Sequence, residues 1–177
     1  MVATPVPTVR VALGLGANLG ERLAALQTAV DIVCRDPQVD PVAVSPVFET
    51  DPVGGPEQPE YLNAVLVVQT SLAPVEVLAL AQLAEFELHR ARDVRWGART
   101  LDVDVLAYGD AVSADPFLTL PHPRAAQRAF VLVPWACVDP DFELAGTRRT
   151  VAQLRDALGP AEVDGVRWCS AGRLALP

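Results

Sequence analysis

"VRVALGLGANLGERLAALQTAVDIVCR" occupies residues 9–35. Val9 to Leu15 read as a buried strand that runs into a glycine-rich turn, and Leu23, Leu26, Val30 and Val33 then recur at helical spacing. Strand, turn and helix therefore follow one another directly. Further along, "VDPVAVSPVFET" reads as a second strand, with Pro41 and Pro46 best suited to a sheet edge. "DPVGGPEQPE" is a loop dense in glycine and proline, and "YLNAVLVVQTS" is a third strand. "APVEVLALAQLAEFELHRAR" predicts a long helix with Pro74 in its first turn. "TLDVDVLAYGD" is a fourth strand, stopped by a turn at Gly109-Asp110. The order β-α-β-β-α-β predicts an α+β fold, a ferredoxin-like antiparallel sheet with helices packed on it. Beyond it, "AFVLVPWACV" is expected to be helical near Pro134, and "TVAQLRDALG" to be a short helix closing at Gly159. With no repeat, linker or low-complexity tract, residues 1–177 read as one domain.

Composition narrows the chemistry. At 51% hydrophobic residues the chain can bury a full core, and no apolar run approaches a membrane span. The N-terminus lacks a secretory pattern, and the widely spaced Cys34, Cys137 and Cys169 read as reduced thiols, so a cytoplasmic location is expected. A net charge of −8 argues against a general nucleic-acid binder. All 14 basic residues are arginines, which excludes a lysine-bearing phosphate loop. Four of them, Arg90, Arg92, Arg95 and Arg99, fall within ten residues.

That cluster precedes "TLDVDVLAY", where alternation puts Leu101, Val103, Val105 and Ala107 on one face and Asp102, Asp104, Leu106 and Tyr108 on the other. Strand residues two apart lie about 7 Å from each other. That is too far for a shared proton but suits two carboxylates holding magnesium together with substrate phosphates. On its own, such a pair reads first as a solvated strand face. Arg90 and Arg92, at the end of the long helix, are partly explained by the helix dipole. Arg95 and Arg99, around Trp96-Gly97, have no such structural reason, and guanidinium groups bind phosphate in pairs of hydrogen bonds. Arginines beside an acidic metal pair read as a triphosphate site. Gln82 and Glu85, three apart on the long helix, read alone as a solvated face. Tyr61 and Asn63 share one face of the third strand and read alone as ordinary strand residues, although a ring beside an amide is what a flat, hydrogen-bonding heterocycle needs. His122, in "LTLPHPRAAQRAF", reads as a packed loop histidine or a phosphate or ribose contact, with Arg128 and Phe130 close behind.

Together, "LGLGANLG", "VFETDPVGGPEQPEYLN", "RWGARTLDVDVL" and "LPHPRAAQRAFVLVP", in this order, resemble the 6-hydroxymethyl-7,8-dihydropterin pyrophosphokinases of folate biosynthesis. The resemblance implies transfer of the pyrophosphoryl group of ATP to a pterin hydroxymethyl, with release of AMP. It implies two Mg2+ ions on Asp102 and Asp104, with Arg90, Arg92 and Arg99 stabilising charge. It places ATP against Gln82, Glu85, Arg90, Arg92, Trp96, Arg99, Thr119, His122 and Arg128. The pterin would lie between Tyr61 and Phe130, its edge held by Asn63, Thr50 and the Pro52-Val53 backbone. The loops at Gly54-Gly55 and Trp96-Gly97 are candidate lids. Ala17, Ala98 and His89 depart from the family's usual serine, proline and glycine, and the Arg92–Trp96 loop is one residue shorter than in some members. The expected partners are small-molecule substrates alone, without nucleic acid or membrane, and the expected state is a monomer. The rival readings are another metal-dependent nucleotidyl- or phosphotransferase with a D-x-D strand, and an RNA-binding ferredoxin-like module.

Overall fold

A computed structural model describes residues 7–52, 58–88 and 100–177. β1 (Val9–Ala17) leads through the glycine turn into α1 (Arg22–Cys34), as the opening stretch predicts. The expected second strand is interrupted. It divides into β2 (Val39–Val44) and β3 (Phe48–Thr50), both paired with the same flank of β4 (Tyr61–Thr70). Ser45 sits at the break: its N–H donates to Val65 O at 2.9 Å, and its Oγ accepts the Val65 N–H at 2.9 Å. The side chain thus supplies an acceptor just before Pro46, which has no N–H of its own to donate. Pro41 lies on β2, which pairs only with β4, so the edge expectation holds for it.

α2 (Pro74–Glu87) begins with Pro74 in its first turn, and the Glu76 carboxylate accepts the Ala73 N–H at 2.7 Å. The helix ends at Glu87 rather than running on through Arg92, and residues 89–99 lie outside the described part. β5 (Asp102–Tyr108) then pairs antiparallel with β1. The main sheet runs β3-β4-β1-β5, all antiparallel, the order of a ferredoxin-like fold.

One expectation about β5 fails in an informative way. Its register against β1 shifts between Ala12↔Ala107 and Leu13↔Val105, so Leu106 is an extra residue, a β-bulge. Beyond it the faces exchange. Ala107 joins Leu106 in the core cluster on the aspartate face, while Tyr108 turns to the helix side and donates to Leu72 O at 2.7 Å.

α1 and α2 cover one face of the sheet around Leu13, Leu15, Leu26, Val30, Leu66 and Val103. Among the described residues, the other face is covered only at one end. After the hairpin β6 (Ser113–Ala114) and β7 (Thr119–Leu120) comes a short 3-10 turn at Ala125–Gln127. α3 (Ala129–Val138) follows, and its buried Val131, Leu132 and Trp135 pack on Ala12, Val65, Val67 and Leu106. The hairpin β8 (Glu143–Leu144) and β9 (Arg149–Thr150) leads into α4 (Val151–Asp156), whose Thr150 and Gln153 cap each other reciprocally. α4 stops before Gly159, and a further helix, α5 (Pro160–Asp164), starts just after it. β10 (Arg167–Trp168) extends the sheet beyond β3. These two-residue strands, with α5 and the 3-10 turn, lack any periodicity that sequence reading could detect.

Among the described residues β5 is the last strand on its side of the sheet, so its outward N–H groups have no strand partner there. Glu85 supplies one acceptor: it is buried, and its Oε1 accepts the Val103 N–H at 3.0 Å. Gln82 is exposed, so the solvated helix face expected for the pair holds for Gln82 and not for Glu85. Glu85→Ala is expected to lower stability by about 1–3 kcal/mol, by stranding a buried donor. In a chain of this size that lowers Tm by roughly 2–12 °C. Calorimetry of the ligand-free protein is the check, and an unchanged Tm would mean that the carboxylate does not hold β5.

Candidate active site

The end of the sheet beyond α3 carries the sequence-predicted groups, and strand register orders them. Phe48 pairs with Asn63, Asn63 with Gly16, and Gly16 with Asp102. The next row is Val65, Gly14 and Asp104. Paired residues share a face, so the amide and the two carboxylates look out from one surface, with glycines between them. Among the described residues, a Cβ at Gly16 would meet only Asn63 Oδ1, at 3.6 Å, whereas one at Gly14 would meet the Leu106 side chain at 3.2 Å. Among these residues the floor between the amide and Asp102 is therefore bare backbone at Gly16, a channel across which Asn63 and Asp102 stand about 10 Å apart at two strand spacings. Leu106 lies over Gly14 in the row of Asp104. Sequence reading named both walls and missed this floor, although "LGLG" with glycines two apart on a strand is its signal.

On one wall, Asn63 Nδ2 donates to Thr50 Oγ1 at 2.8 Å, and both side chains are buried. This bond fixes the amide and leaves its Oδ1 beside Gly16. Tyr61, two residues back, shares Asn63's face and pairs with Thr50. Phe130, at the start of α3, is half-buried against the second core, with the Arg128 guanidinium 5.3 Å from its ring centroid.

On the opposite wall, Asp102 and Asp104 are partly exposed and stand in the glycine rows. The Leu106 bulge matters here, because the Leu106 carbonyl accepts the His122 N–H at 2.8 Å and brings that loop onto the aspartate face. His122 Nδ1 accepts the Arg124 N–H at 3.2 Å, which leaves the ring proton on Nε2, 4.0 Å from Asp104 Oδ2. Burial holds the imidazole below its usual pKa, with help from the Arg128 and Arg124 charges and against the pull of Asp102. His122 is accordingly a neutral donor near pH 7. Thr119 sits at the hairpin base, its hydroxyl donating to Asp115 O at 3.0 Å.

Two carboxylates on one strand face are hard oxygen donors suited to magnesium. Among the described residues no third histidine, cysteine or carboxylate completes a cage around them. Val53, Arg90, Arg92, Trp96 and Arg99, with both candidate lids at Gly54-Gly55 and Trp96-Gly97, lie outside the described residues. The structure thus brings together Thr50, Tyr61, Asn63, Asp102, Asp104, His122, Arg128 and Phe130 around one end of the sheet. Pro52 borders the same region, and Gln82 lies on the outer surface of α2.

Residues 12–140 match the family model for 7,8-dihydro-6-hydroxymethylpterin-pyrophosphokinase. The chain belongs to this family. Among pyrophosphokinases similar to it, the 2-amino-4-hydroxy-6-hydroxymethyldihydropteridine pyrophosphokinase of Pseudomonas aeruginosa is 43% identical over 89% of this chain and 94% of that protein. The enzyme of the same name from Mycobacterium bovis is 44% identical over 89% of this chain and 88% of that protein. The fold resembles that of Plasmodium falciparum HPPK-DHPS, solved with pteroate, at a TM-score of 0.65 and 14% identity. That match covers 88% of this chain and 43% of the longer protein. Among the described residues no helix is long and apolar enough to cross a membrane.

Proposed function

We propose that this pyrophosphokinase transfers the pyrophosphoryl group of ATP to the hydroxymethyl of 6-hydroxymethyl-7,8-dihydropterin and releases AMP. The observation that carries the reading is the Asn63–Gly16–Asp102 row, which sets a heterocycle-binding amide opposite a metal-type carboxylate across a bare floor. Both lie within the family-matched residues. The pterin edge is assigned to Asn63, Thr50 and the Pro52-Val53 backbone, and its faces to Tyr61 and Phe130. ATP is assigned to the opposite side, with Gln82, Glu85, Arg90, Arg92, Trp96, Arg99, Thr119, His122 and Arg128 in the positions of the family pattern.

Asp102 and Asp104 would hold two Mg2+ ions. Bound there, the metal supplies charge neutralisation along the triphosphate and makes the substrate hydroxyl more acidic. Transfer of this kind needs positioning and charge stabilisation more than a covalent nucleophile. Neutral His122 donates its Nε2–H toward phosphate oxygen without adding a proton to the balance. Arg90, Arg92 and Arg99 offset charge on the transferring and leaving groups. The Thr50–Asn63 bond presents a pre-set amide to the pterin, so little ordering is lost on binding.

The test is product identity. With pterin, ATP and magnesium, the nucleotide formed is expected to be AMP, resolved by anion-exchange chromatography. ADP in its place would overturn the assignment.

A further inference from the structure

Residues 58–60 form no helix or strand, yet they lead directly into Tyr61, the first residue of β4. The β1–β4 ladder stops at Ala17↔Leu62. Asn18 is the next residue of the chain beyond that last pair, and it is 1% exposed. Its Nδ2 donates to Gln58 Oε1 and to Pro59 O, each at 3.1 Å. Arg22, one turn further on, donates to Glu60 O at 2.7 Å. Gln58 Oε1 also receives the Tyr61 hydroxyl at 3.4 Å, a long contact. The Asn18 amide therefore continues the sheet by one rung after backbone pairing has ended, and the strand entry that orients Tyr61 rests on it. A buried amide engaged in this way is costly to leave unmatched, so its placement marks a segment held in one geometry.

We propose that Asn18 is a positioning residue for the pterin, acting through Gln58 and Pro59 to set the Tyr61 ring at the mouth of the pocket. This rests on the assignment of Tyr61 and Asn63 to the pterin. Asn18 is not a catalytic residue, and its influence is on capture of the heterocycle rather than on transfer.

The test compares Asn18→Ala and Gln58→Ala with the unaltered enzyme. In Asn18→Ala the KM for hydroxymethyl-dihydropterin should rise about tenfold, as expected for the loss of a buried two-acceptor contact. Its kcat, and its calorimetric affinity for a non-hydrolysable ATP analogue with magnesium, should each stay within about twofold. Gln58→Ala should shift KM in the same direction, and the double variant should fall short of the product of the two, because the residues share one interaction. Gln58 lies on a partly exposed segment, so its variant decides the matter even if Asn18→Ala fails to fold. An unmoved pterin KM in the variants overturns the proposal. So does a parallel loss of pterin affinity, analogue affinity and Tm, which marks a purely structural role. Absence of pterin binding by the unaltered protein, with analogue present, would overturn the pterin assignment itself and this inference with it.

Discussion

Asp104→Asn is expected to lose turnover by roughly a hundredfold or more at saturating magnesium, the scale of about 3 kcal/mol in transition-state stabilisation. The same variant should melt no lower than the parent protein in EDTA. The two expectations have separate causes. Without metal, carboxylates about 7 Å apart repel by up to about 2 kcal/mol at an effective dielectric near 20, and by less at a site this open to solvent. The side chain of Asp104 is 43% exposed. Its neighbour His122 is held below its usual pKa, so near pH 7 the 4.0 Å contact is not an ion pair whose loss would destabilise the fold. Asparagine keeps the shape and removes the repulsion. The ligand role suffers, the usual exchange of stability for function at such a site. Thermal melts in EDTA beside steady-state rates in magnesium check both. A lowered Tm with near-normal turnover would make Asp104 a residue of the fold and remove it from the metal site.

The parts of the fold legible in the sequence are those with long periodic patterns. β1, α1, β4 and α2 carry 9 to 14 residues each, enough for the spacing of apolar side chains to distinguish helix from strand. What escaped was set by single residues whose effect depends on tertiary partners. Ser45 divides a strand because its Oγ finds Val65 across the ladder, and nothing in "AVSPVF" names that partner. Leu106 bulges within "DVDVLAY", where alternation reads unbroken. Its one signal was a leucine on the aspartate face, and the reason for it, the His122 N–H, lies 16 residues on. Glu85 looked like surface because helical spacing shows which residues share a side. It does not show that the neighbouring strand has an edge N–H to satisfy. The candidate site was legible where a residue type has one chemistry, as in the paired aspartates. It was illegible where the proposed role lies in an absent side chain, as at Gly16, or in a buried amide such as Asn18.

Gly16→Val is expected to leave the protein folded and close to inactive. Gly16 lies within β1, paired on one side with Asn63 and on the other with Asp102. Its backbone is not among those of positive φ, so a side chain brings no backbone strain. Among the described residues, a Cβ there is in ordinary van der Waals contact with Asn63 Oδ1, at 3.6 Å, and with nothing else within 4 Å. Valine suits a strand better than glycine does, and replacing glycine restrains the unfolded chain. Stability should therefore stay within about 1 kcal/mol of the parent, or rise. The branched side chain, however, stands in the floor between the amide and the aspartate, where the reading requires the pterin hydroxymethyl and the phosphates to meet. Displacing reacting groups by about 1 Å can cost a hundredfold in rate, and kcat/KM should fall by at least roughly that factor. Gly16→Ala, with a single methyl, should fall between the two. A melt and a rate series across glycine, alanine and valine decide the matter. If activity follows stability, or survives valine, the bare floor is an accident of packing; if activity falls stepwise while Tm holds, the substrates meet over Gly16.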